Sequence, residues 1–600
     1  MTERMDADGI PGAVIALVGP EDAVTLRGFG LAVMDPSVPA DPETSLFRLG
    51  SVSKTFIYVI ALQLVESDQL DLDAPIARYA GADLTGAGPE DAGPTVREVL
   101  THTAGFEERY SNVIADAPMR TEKYLRGSPV PDRRQNADKV PAYSNYGASL
   151  VALACEAVTG TDFASLAKER IFEPLGMDNT SFDQSAARQE DPNQAVGYQA
   201  GQAQPFEILG PYAAGGASST AADMASFMAD LLAEDPILMS SETRDLMLSR
   251  QVAMHPDLPG MALGFYEESR AGIRAVGHGG ATFHFLTNMI LFPDTGIGLF
   301  VSMNGGAAGR AIQRDLVWSI IDTHLAPRVG TERSLRPQTI PDADRPPSGP
   351  YALSRRYFDG PGRLLETLTQ ADVEVSEDGI LTISSLRGND GVPRRFVYSG
   401  DGLFRAQNDR RIRLAVWQGD DGTWRLAGDD LRPIQVLEHR PWHRSKHTAK
   451  TLQTVAKAGL GVGFGLLVVL VGLMWRSFRS LAVRDVVLTG VVGIGVLSAF
   501  SGLFLWAEWA AMVTTELDGF NSTFRPRLRL MQLVSGFSLI GPVASIILIG
   551  RSLFLRSADK GEIVSWNAAL VTALSFILAG FAAFAAYGWM HDLFDLSLAL

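Results

Sequence analysis

Ser51 and Lys54 stand three residues apart, so in a helix they would lie on the same face, one turn from each other. A serine hydroxyl becomes a nucleophile when a nearby base removes its proton, and a neutral lysine amine can be that base. The residues after Lys54 are apolar on nearly every side, which predicts a buried helix. Ser51 would lie at its N-terminus, where the helix dipole favours a developing negative charge. The pair indicates acyl transfer, although this short pattern also occurs by chance.

Two later segments strengthen this interpretation. Tyr143-Ser144-Asn145 comes about ninety residues after the serine, and His278-Gly279-Gly280-Ala281 precedes an apolar run typical of a strand. With Ser51 and Lys54 they resemble, in order and spacing, the three motifs of the serine β-lactamase and penicillin-binding protein superfamily. The similarity is closest to the branch of class C β-lactamases, D-aminopeptidases and esterases, and it covers about residues 8–325.

The resemblance implies a fold and a set of roles. The fold class is α+β, with an antiparallel sheet flanked by helices and a helical lobe. Lys54 must lose its proton to act as a base, so the site has to desolvate it or surround it with positive potential. Tyr143 would relay the proton to the leaving group. Asn145 would orient the lysine and hold a substrate carbonyl. The backbone N–H groups of Ser51 and Ala281 would form the oxyanion hole.

The third motif departs from the family pattern. β-Lactamases and cell-wall transpeptidases carry Lys-Thr-Gly where this chain has His278, Gly279 and Gly280. The fixed positive charge and the hydroxyl that hold a carboxylate are therefore missing, which predicts weak β-lactamase activity. We assign His278, Gly280 and Ala281 to substrate binding, since a near-neutral imidazole suits a ligand without an obligatory carboxylate. The alternative is that His278 is a packed strand residue.

Composition excludes several functions. A length of 600 residues predicts several domains. The formal charge is −16, and the segment from residue 446 onward is basic, so the acidic charge belongs to the soluble part and nucleic acid is not an expected partner. Cys155 is the single cysteine, which excludes an internal disulfide. His439, His443 and His447 recur every fourth residue, but Pro441 interrupts the helix that would align them, so no metal site is expected.

The chain divides into parts of different character. We predict a hydrolase domain over 1–330, a linker rich in proline and charge over 331–350, a small β domain similar to a lipocalin over 351–445, and a membrane domain over 446–600. Four apolar runs in the last part are near or above the length of a membrane span, namely 458–475, 486–513, 533–549 and 563–590. Two overlapping glycine pairs, Gly459/Gly463 and Gly461/Gly465, would let helices approach closely.

Topology is not decided by charge, because Lys and Arg are nearly balanced between the two ends of the apolar runs. By analogy with the family, the hydrolase domain is expected outside the cytoplasmic membrane, with the first residue downstream of an export signal. The predicted function is a membrane-anchored serine hydrolase, acylated on Ser51, that acts on a small ester or a peptide-like amide without metal or organic cofactor. The alternative is a sensory or binding protein with a hydrolase-like domain that signals through its membrane helices.

Overall fold

The structure is a computed structural model that describes the chain except residues 22, 89–90, 110–111, 135–138, 270–271, 326–334, 389–390, 475–482, 516–524, 539, 556–562, 592 and 594–600. It forms two compact units. The first comprises Met1–Arg355 and Ala371–His439, and the second comprises Arg356–Gln370 and Arg440–Leu600.

All strands among the described residues belong to the first unit. They are β1 (Gly12–Val18), β2 (Val24–Val33), β3 (Val38–Pro39), β4 (Phe47–Arg48), β5 (Tyr198–Gln199), β6 (Gln202–Ala203), β7 (Ser218–Ser219), β8 (Tyr266–Glu267), β9 (Val276–Ala281), β10 (Leu286–Phe292), β11 (Ile297–Met303), β12 (Gly349–Leu353), β13 (Ala371–Val375), β14 (Ile380–Arg387), β15 (Pro393–Gly400), β16 (Leu403–Ala406), β17 (Asp409–Gln418), β18 (Trp424–Gly428) and β19 (Leu437–His439).

The helices follow the same chain order. In the first unit they are α1 (Thr2–Asp8), α2 (Lys54–Glu66), α3 (Ala77–Ala80), α4 (Val96–Leu100), α5 (Thr121–Gly127), α6 (Asn145–Thr159), α7 (Phe163–Ala167), α8 (Glu173–Leu175), α9 (Ala186–Gln189), α10 (Tyr212–Gly215), α11 (Ala221–Leu232), α12 (Ser241–Leu248) and α13 (Arg310–Ile320). In the second unit they are α14 (Leu364–Thr369), α15 (Lys446–Met474), α16 (Val483–Thr515), α17 (Arg525–Phe537), α18 (Ile540–Leu555) and α19 (Ile563–Met590).

A seven-stranded antiparallel sheet organises the hydrolase part, with strand order β3-β2-β1-β11-β10-β9-β8. Every residue of β10 is buried, as expected for a strand covered on both faces. Met289 and Leu291 belong to the core that includes α11, whereas Ile290 and Phe292 pack with residues of α13 on the other face. The α+β fold class predicted from the motifs is confirmed.

The helical lobe is centred on α2, which starts at Lys54 and is buried along almost its whole length. Its apolar side chains join the same core as α4, α5 and α6. A helix that is apolar on all sides has no face to present to water, so burial in the middle of the lobe is its stable position. The predicted buried helix is therefore confirmed, and it provides a rigid support for the residues at its N-terminus.

The small β domain is a closed eight-stranded antiparallel barrel, β12 to β19, in which β12 pairs with β19 to close the ring. A barrel of eight strands is just wide enough for side chains to fill, and a compact apolar cluster occupies this one. Ile340, from the segment predicted as a linker, is part of that cluster. Within the first unit the barrel contacts the hydrolase part directly, since Ser354 Oγ donates to the Pro141 carbonyl at 2.6 Å.

In the second unit, four segments among the described residues are long and apolar enough to span a membrane: 446–469, 487–509, 527–549 and 570–590. The four predicted apolar spans are confirmed in length and composition. Of the two glycine pairs, Gly459 and Gly463 lie against α19, because a Cβ on either would come within 2.7 Å of a backbone oxygen of that helix. Gly465 has no atom within 4 Å of an added Cβ, so the second pair is not at this helix contact.

Candidate active site

Ser51 lies in a tight 3-10 turn that leads directly into α2. Gly50 has a φ of 52°, and a Cβ there would stand 2.7 Å from the backbone nitrogen of Ala281. A Cβ on Gly280 would stand only 2.0 Å from the carbonyl oxygen that precedes the turn. Because neither glycine carries a side chain, β9 can pass directly against the turn that holds the serine.

Lys54 is fully buried, and its amine has three close polar neighbours. Nζ lies 3.0 Å from Ser51 Oγ, 2.8 Å from Asn145 Oδ1 and 2.7 Å from the Ala214 carbonyl oxygen. A neutral amine has two N–H donors and one lone pair. The amide and carbonyl oxygens accept the two N–H groups, which leaves the lone pair for the proton of the Ser51 hydroxyl. The geometry therefore suits proton transfer from serine to lysine.

Electrostatics favour the neutral amine. Burial, and next the positive charge of Arg355, lower the pKa of Lys54 well below its ordinary value, while the charge of Glu108 acts in the opposite direction. Arg355 follows the barrel strand β12, and its guanidinium lies 4.8 Å from the centroid of the Tyr143 ring. It also forms an ion pair with Glu108, whose side chain is 2% exposed. The barrel thus places a cation beside the buried lysine.

Tyr143 and Asn145 come from the N-terminus of α6. Ser144 caps this helix by accepting a hydrogen bond from Gly147 N at 3.0 Å, and Asn145 is the first helical residue. This capping hydrogen bond fixes the backbone before and after Ser144. It therefore orients Asn145 toward Lys54 and holds Tyr143 just outside the helix.

The phenol of Tyr143 stays protonated at neutral pH. Burial raises its pKa above the ordinary value, and the Ser51 hydroxyl and the charge of Arg355 oppose this only in part. Its Oη forms no hydrogen bond of normal geometry with the part of the chain that the structure describes. Lys54 Nζ lies 5.0 Å from its ring centroid. A buried phenol with an uncommitted hydroxyl beside the serine is suited to donate a proton to a leaving group.

His278 is 1% exposed, and its ring packs among the rings of Tyr58, Tyr143 and Tyr266, with centroids 5.2 to 6.2 Å away. Its Nδ1 lies 2.7 Å from the Gly279 carbonyl oxygen. Burial lowers its pKa to about 3, so the imidazole is neutral throughout the physiological range. His278 is thus placed as a packed strand residue. The backbone of the residues that follow it on β9 borders the site.

The outer edge of β9 is not paired with another strand beyond Gly277 within the described residues. β8 pairs with β9 only at Val276 and Gly277. Beyond them, Gly279 N donates to Tyr266 Oη at 2.6 Å instead of to a strand. Because N–H groups in a strand alternate between its two edges, the N–H of Ala281 points to the same edge, beside the turn of Ser51. The two N–H groups expected to form the oxyanion hole therefore border one space.

Several residues around this space were not predictable from the motifs. Ala214, Tyr266 and Glu108 lie outside the three motifs, and two arginines, Arg355 and Arg432, come from the barrel more than 300 residues after the serine. Glu108 is preceded by a second glutamate, Glu107, and two adjacent carboxylates in a sequence are not by themselves a signal for an active site. The contacts of Arg355 and Arg432 exist only because the barrel packs against the hydrolase part.

Comparison with known proteins identifies the family. Residues 1–320 match the Beta-lactamase family model. The unguisins hydrolase ungD' of Aspergillus campestris is 25% identical over 346 residues, which cover 54% of this chain and 64% of the relative. A D-aminopeptidase of Cereibacter sphaeroides is 24% identical over 398 residues, which cover 62% of this chain and 73% of the relative. Among solved structures, the octameric penicillin-binding protein homologue from Pyrococcus abyssi is 20% identical with a TM-score of 0.46, covering 73% of this chain and 98% of its own. This chain belongs to the beta-lactamase family of serine hydrolases.

Proposed function

We propose that the protein is a membrane-anchored serine hydrolase that forms an acyl-enzyme on Ser51 and then hydrolyses it. The observation that carries this proposal is the contact of 3.0 Å between Ser51 Oγ and the buried amine of Lys54, whose other two neighbours accept its N–H groups. This arrangement has the parts of an activated nucleophile, namely a hydroxyl, a base within reach and a group that orients the base.

The steps follow from the geometry. Lys54 takes the proton of Ser51 as Oγ bonds to the substrate carbonyl carbon, and the carbonyl oxygen becomes an oxyanion held by the N–H groups of Ser51 and Ala281. The bond to the leaving group then breaks as Tyr143 donates its proton, which Lys54 replaces. In the second half of the reaction, water attacks the ester carbonyl of the acyl-enzyme and passes a proton to Lys54. The bond from the acyl group to Ser51 Oγ then breaks, and Oγ takes up the proton from Lys54.

The proposed substrate is an ester or a peptide-like amide. A relative named as a D-aminopeptidase supports cleavage of an amide bond. The neutral His278 does not provide the fixed charge of a third-motif lysine, so a penicillin carboxylate would have to be bound by a residue outside this motif.

Mass spectrometry of the intact protein tests the proposed function. A fluorophosphonate should add one adduct to the wild type and none to Ser51→Ala. Ser53→Ala is the matched control, because this serine lies in the same turn but its Oγ accepts a hydrogen bond from Ala217 N at 3.1 Å. It should label normally. Labelling of Ser51→Ala at the wild-type rate would exclude the assignment, and a lasting penicillin adduct without any ester turnover would favour the sensory alternative.

We further propose that the hydrolase domain lies on the periplasmic or extracellular side of the cytoplasmic membrane. With four spans, both chain ends lie on that side, so a reporter that is active only after export should work when fused behind Leu600, a position outside the described residues. A fusion that is active only in the cytoplasm would contradict this topology. Protease access to the first 445 residues in spheroplasts would then show whether the domain is internal or the number of spans is odd.

A further inference from the structure

One loop of the barrel, residues 429–436, joins β18 to β19 and lies beside the active site. We call it the barrel loop. Two backbone contacts attach it to the segment that precedes α6. Tyr143 N donates to the Ile434 carbonyl at 3.1 Å, and Gln435 forms an antiparallel bridge with Ala142. These contacts place Arg432, three residues before Gln435, beside the third motif.

The guanidinium of Arg432 occupies the space that a side chain at Gly279 would need. A Cβ on Gly279 would stand 2.3 Å from Nη1 of Arg432 and 3.0 Å from its Cζ. The backbone of Gly279 is not in the left-handed region, so its conformation does not require glycine. A side chain at residue 279 and the observed position of the guanidinium therefore exclude each other. The family motif has a hydroxyl at this position, and here a cation from another domain lies next to it.

Most of the hydrogen-bonding capacity of Arg432 is unused. A guanidinium has five N–H donors, and within the described residues this one donates a single hydrogen bond, from Nη1 to Tyr266 Oη at 3.1 Å. A carboxylate oxygen of Glu268 lies 3.9 Å from Nε, which is close enough for an ion pair but too long for a hydrogen bond. The side chain is 41% exposed. A partly open guanidinium with free donors matches a carboxylate, which it can bind through two parallel hydrogen bonds.

The distance from the reacting centre limits where that carboxylate lies in the substrate. Gly279, beside Arg432, and Ala281, which carries the expected oxyanion N–H, are two residues apart on β9, or about 7 Å. Neighbouring residues of a peptide are about 3.8 Å apart, and a hydrogen bond of about 2.9 Å adds to each end. Together these lengths span up to about 9.6 Å, so a carboxylate on the residue next to the scissile carbonyl can reach across the roughly 7 Å between the two positions.

We propose that Arg432 is a specificity-determining residue that binds a carboxylate next to the scissile bond of the substrate. This inference rests on the proposed function. It also revises the expectation from the sequence that the ligand lacks an obligatory carboxylate. The third motif does lack its lysine, but the barrel loop brings a positive charge to the same edge of β9.

Two esters that differ in one charge test the inference, m-carboxyphenyl phenylacetate and m-carbamoylphenyl phenylacetate. The full-length protein in detergent is assayed for kcat/KM on both. Arg432→Gln should lower kcat/KM for the carboxylate ester by about 10- to 100-fold and leave the carbamoyl ester nearly unchanged, because a hydrogen-bonded charge is lost. Arg432→Lys should keep part of the preference, since lysine retains the charge but not the paired donors. The control Arg387→Gln removes an exposed arginine of the barrel and should not change the ratio.

A second variant guards against a folding defect in Arg432→Gln. Gly279→Ala should displace the guanidinium, because its Cβ would meet Nη1 at 2.3 Å, and it should cause the same selective loss. Equal losses on both esters in these variants would overturn the inference while the proposed function stands. Faster turnover of both esters would also overturn it, since the arginine would then be an obstacle to substrate.

Binding without turnover separates the two proposals. Calorimetry with hippurate, and with hippuramide as its uncharged match, should show that Arg432→Gln weakens hippurate binding alone. If neither ester is hydrolysed and Ser51 is not labelled, the proposed function fails. In that case selective loss of hippurate binding would still support the carboxylate site, and unchanged binding would refute it.

Discussion

Replacing Arg355 with glutamine should raise the pKa of Lys54 and move the pH dependence of acylation with it. The arginine Cζ lies 4.8 Å and the lysine Nζ 5.0 Å from the same Tyr143 ring centroid, so the two charges are no more than about 10 Å apart. At an effective dielectric constant of about 20 they repel by at least about 1.7 kcal/mol. That energy corresponds to slightly more than one pKa unit.

The direction of the shift in the pH profile follows from which protonation state of Lys54 is active. Because the neutral amine is the base, kcat/KM rises with pH until Lys54 is deprotonated and then levels. Removing the nearby positive charge stabilises the protonated amine, so the inflection in Arg355→Gln should move up by about one pH unit. Below the inflection the rate should fall about tenfold, and the alkaline plateau should change little. A pH profile of kcat/KM for an uncharged aryl ester measures both quantities.

Two further variants separate charge from packing. Arg355→Lys keeps the charge and should keep the inflection near its wild-type position, even where weaker packing on Tyr143 lowers the plateau. Glu108→Gln should shift the inflection the other way, to lower pH, because the Glu108 carboxylate raises the pKa of Lys54. An inflection that stays fixed in Arg355→Gln, or moves to lower pH, would refute the reasoning.

Three other predictions test separate parts of the structure. Gly280→Ala should reduce the rate of fluorophosphonate labelling by more than about 100-fold, because its Cβ would overlap the backbone beside the Ser51 turn, and a rate within a few fold of wild type would contradict this contact. The imidazole C2 proton resonance of His278, assigned by its loss in His278→Gln, should not shift between pH 5 and 8, because burial lowers the pKa of this ring to about 3; a titration near pH 6 would disprove the burial. Gly459→Leu should lower the melting temperature in detergent by several degrees, whereas Gly465→Leu, with open space around it, should leave the melting temperature unchanged; equal effects would exclude the helix contact.

The chemistry of the site was predictable where it depends on short-range spacing. Ser51 and Lys54 share one helical turn, and the apolar run after them specifies a buried helix, so local patterns predict both residues and their support. The alternation of short strands likewise predicted a β domain, although closure into a ring depends on the pairing of β12 with β19, which are far apart in sequence.

The arginines could not be predicted for a physical reason. Arg355 and Arg432 lie beside the site only because one side of the barrel docks beside Tyr143. Nothing in the local sequence of a barrel indicates which of its loops will face another domain. The surroundings of His278 also could not be predicted from local sequence, although its position in the chain suggested a ligand contact. Its environment depends on three tyrosines from separate segments, which bury the ring and keep it neutral.

The pairing of β12 with β19 has an evolutionary consequence. Arg355 follows the first of these strands and Arg432 precedes the second, so both arginines are inherited with the seam of the barrel and not with the catalytic motifs. Under the proposals made above, the reacting groups and the substrate preference are encoded in separate parts of the chain, which can diversify independently. Recombination that exchanges the barrel would change the charge presented to a substrate in one event, while the serine, the lysine and their supporting helix pass on unaltered.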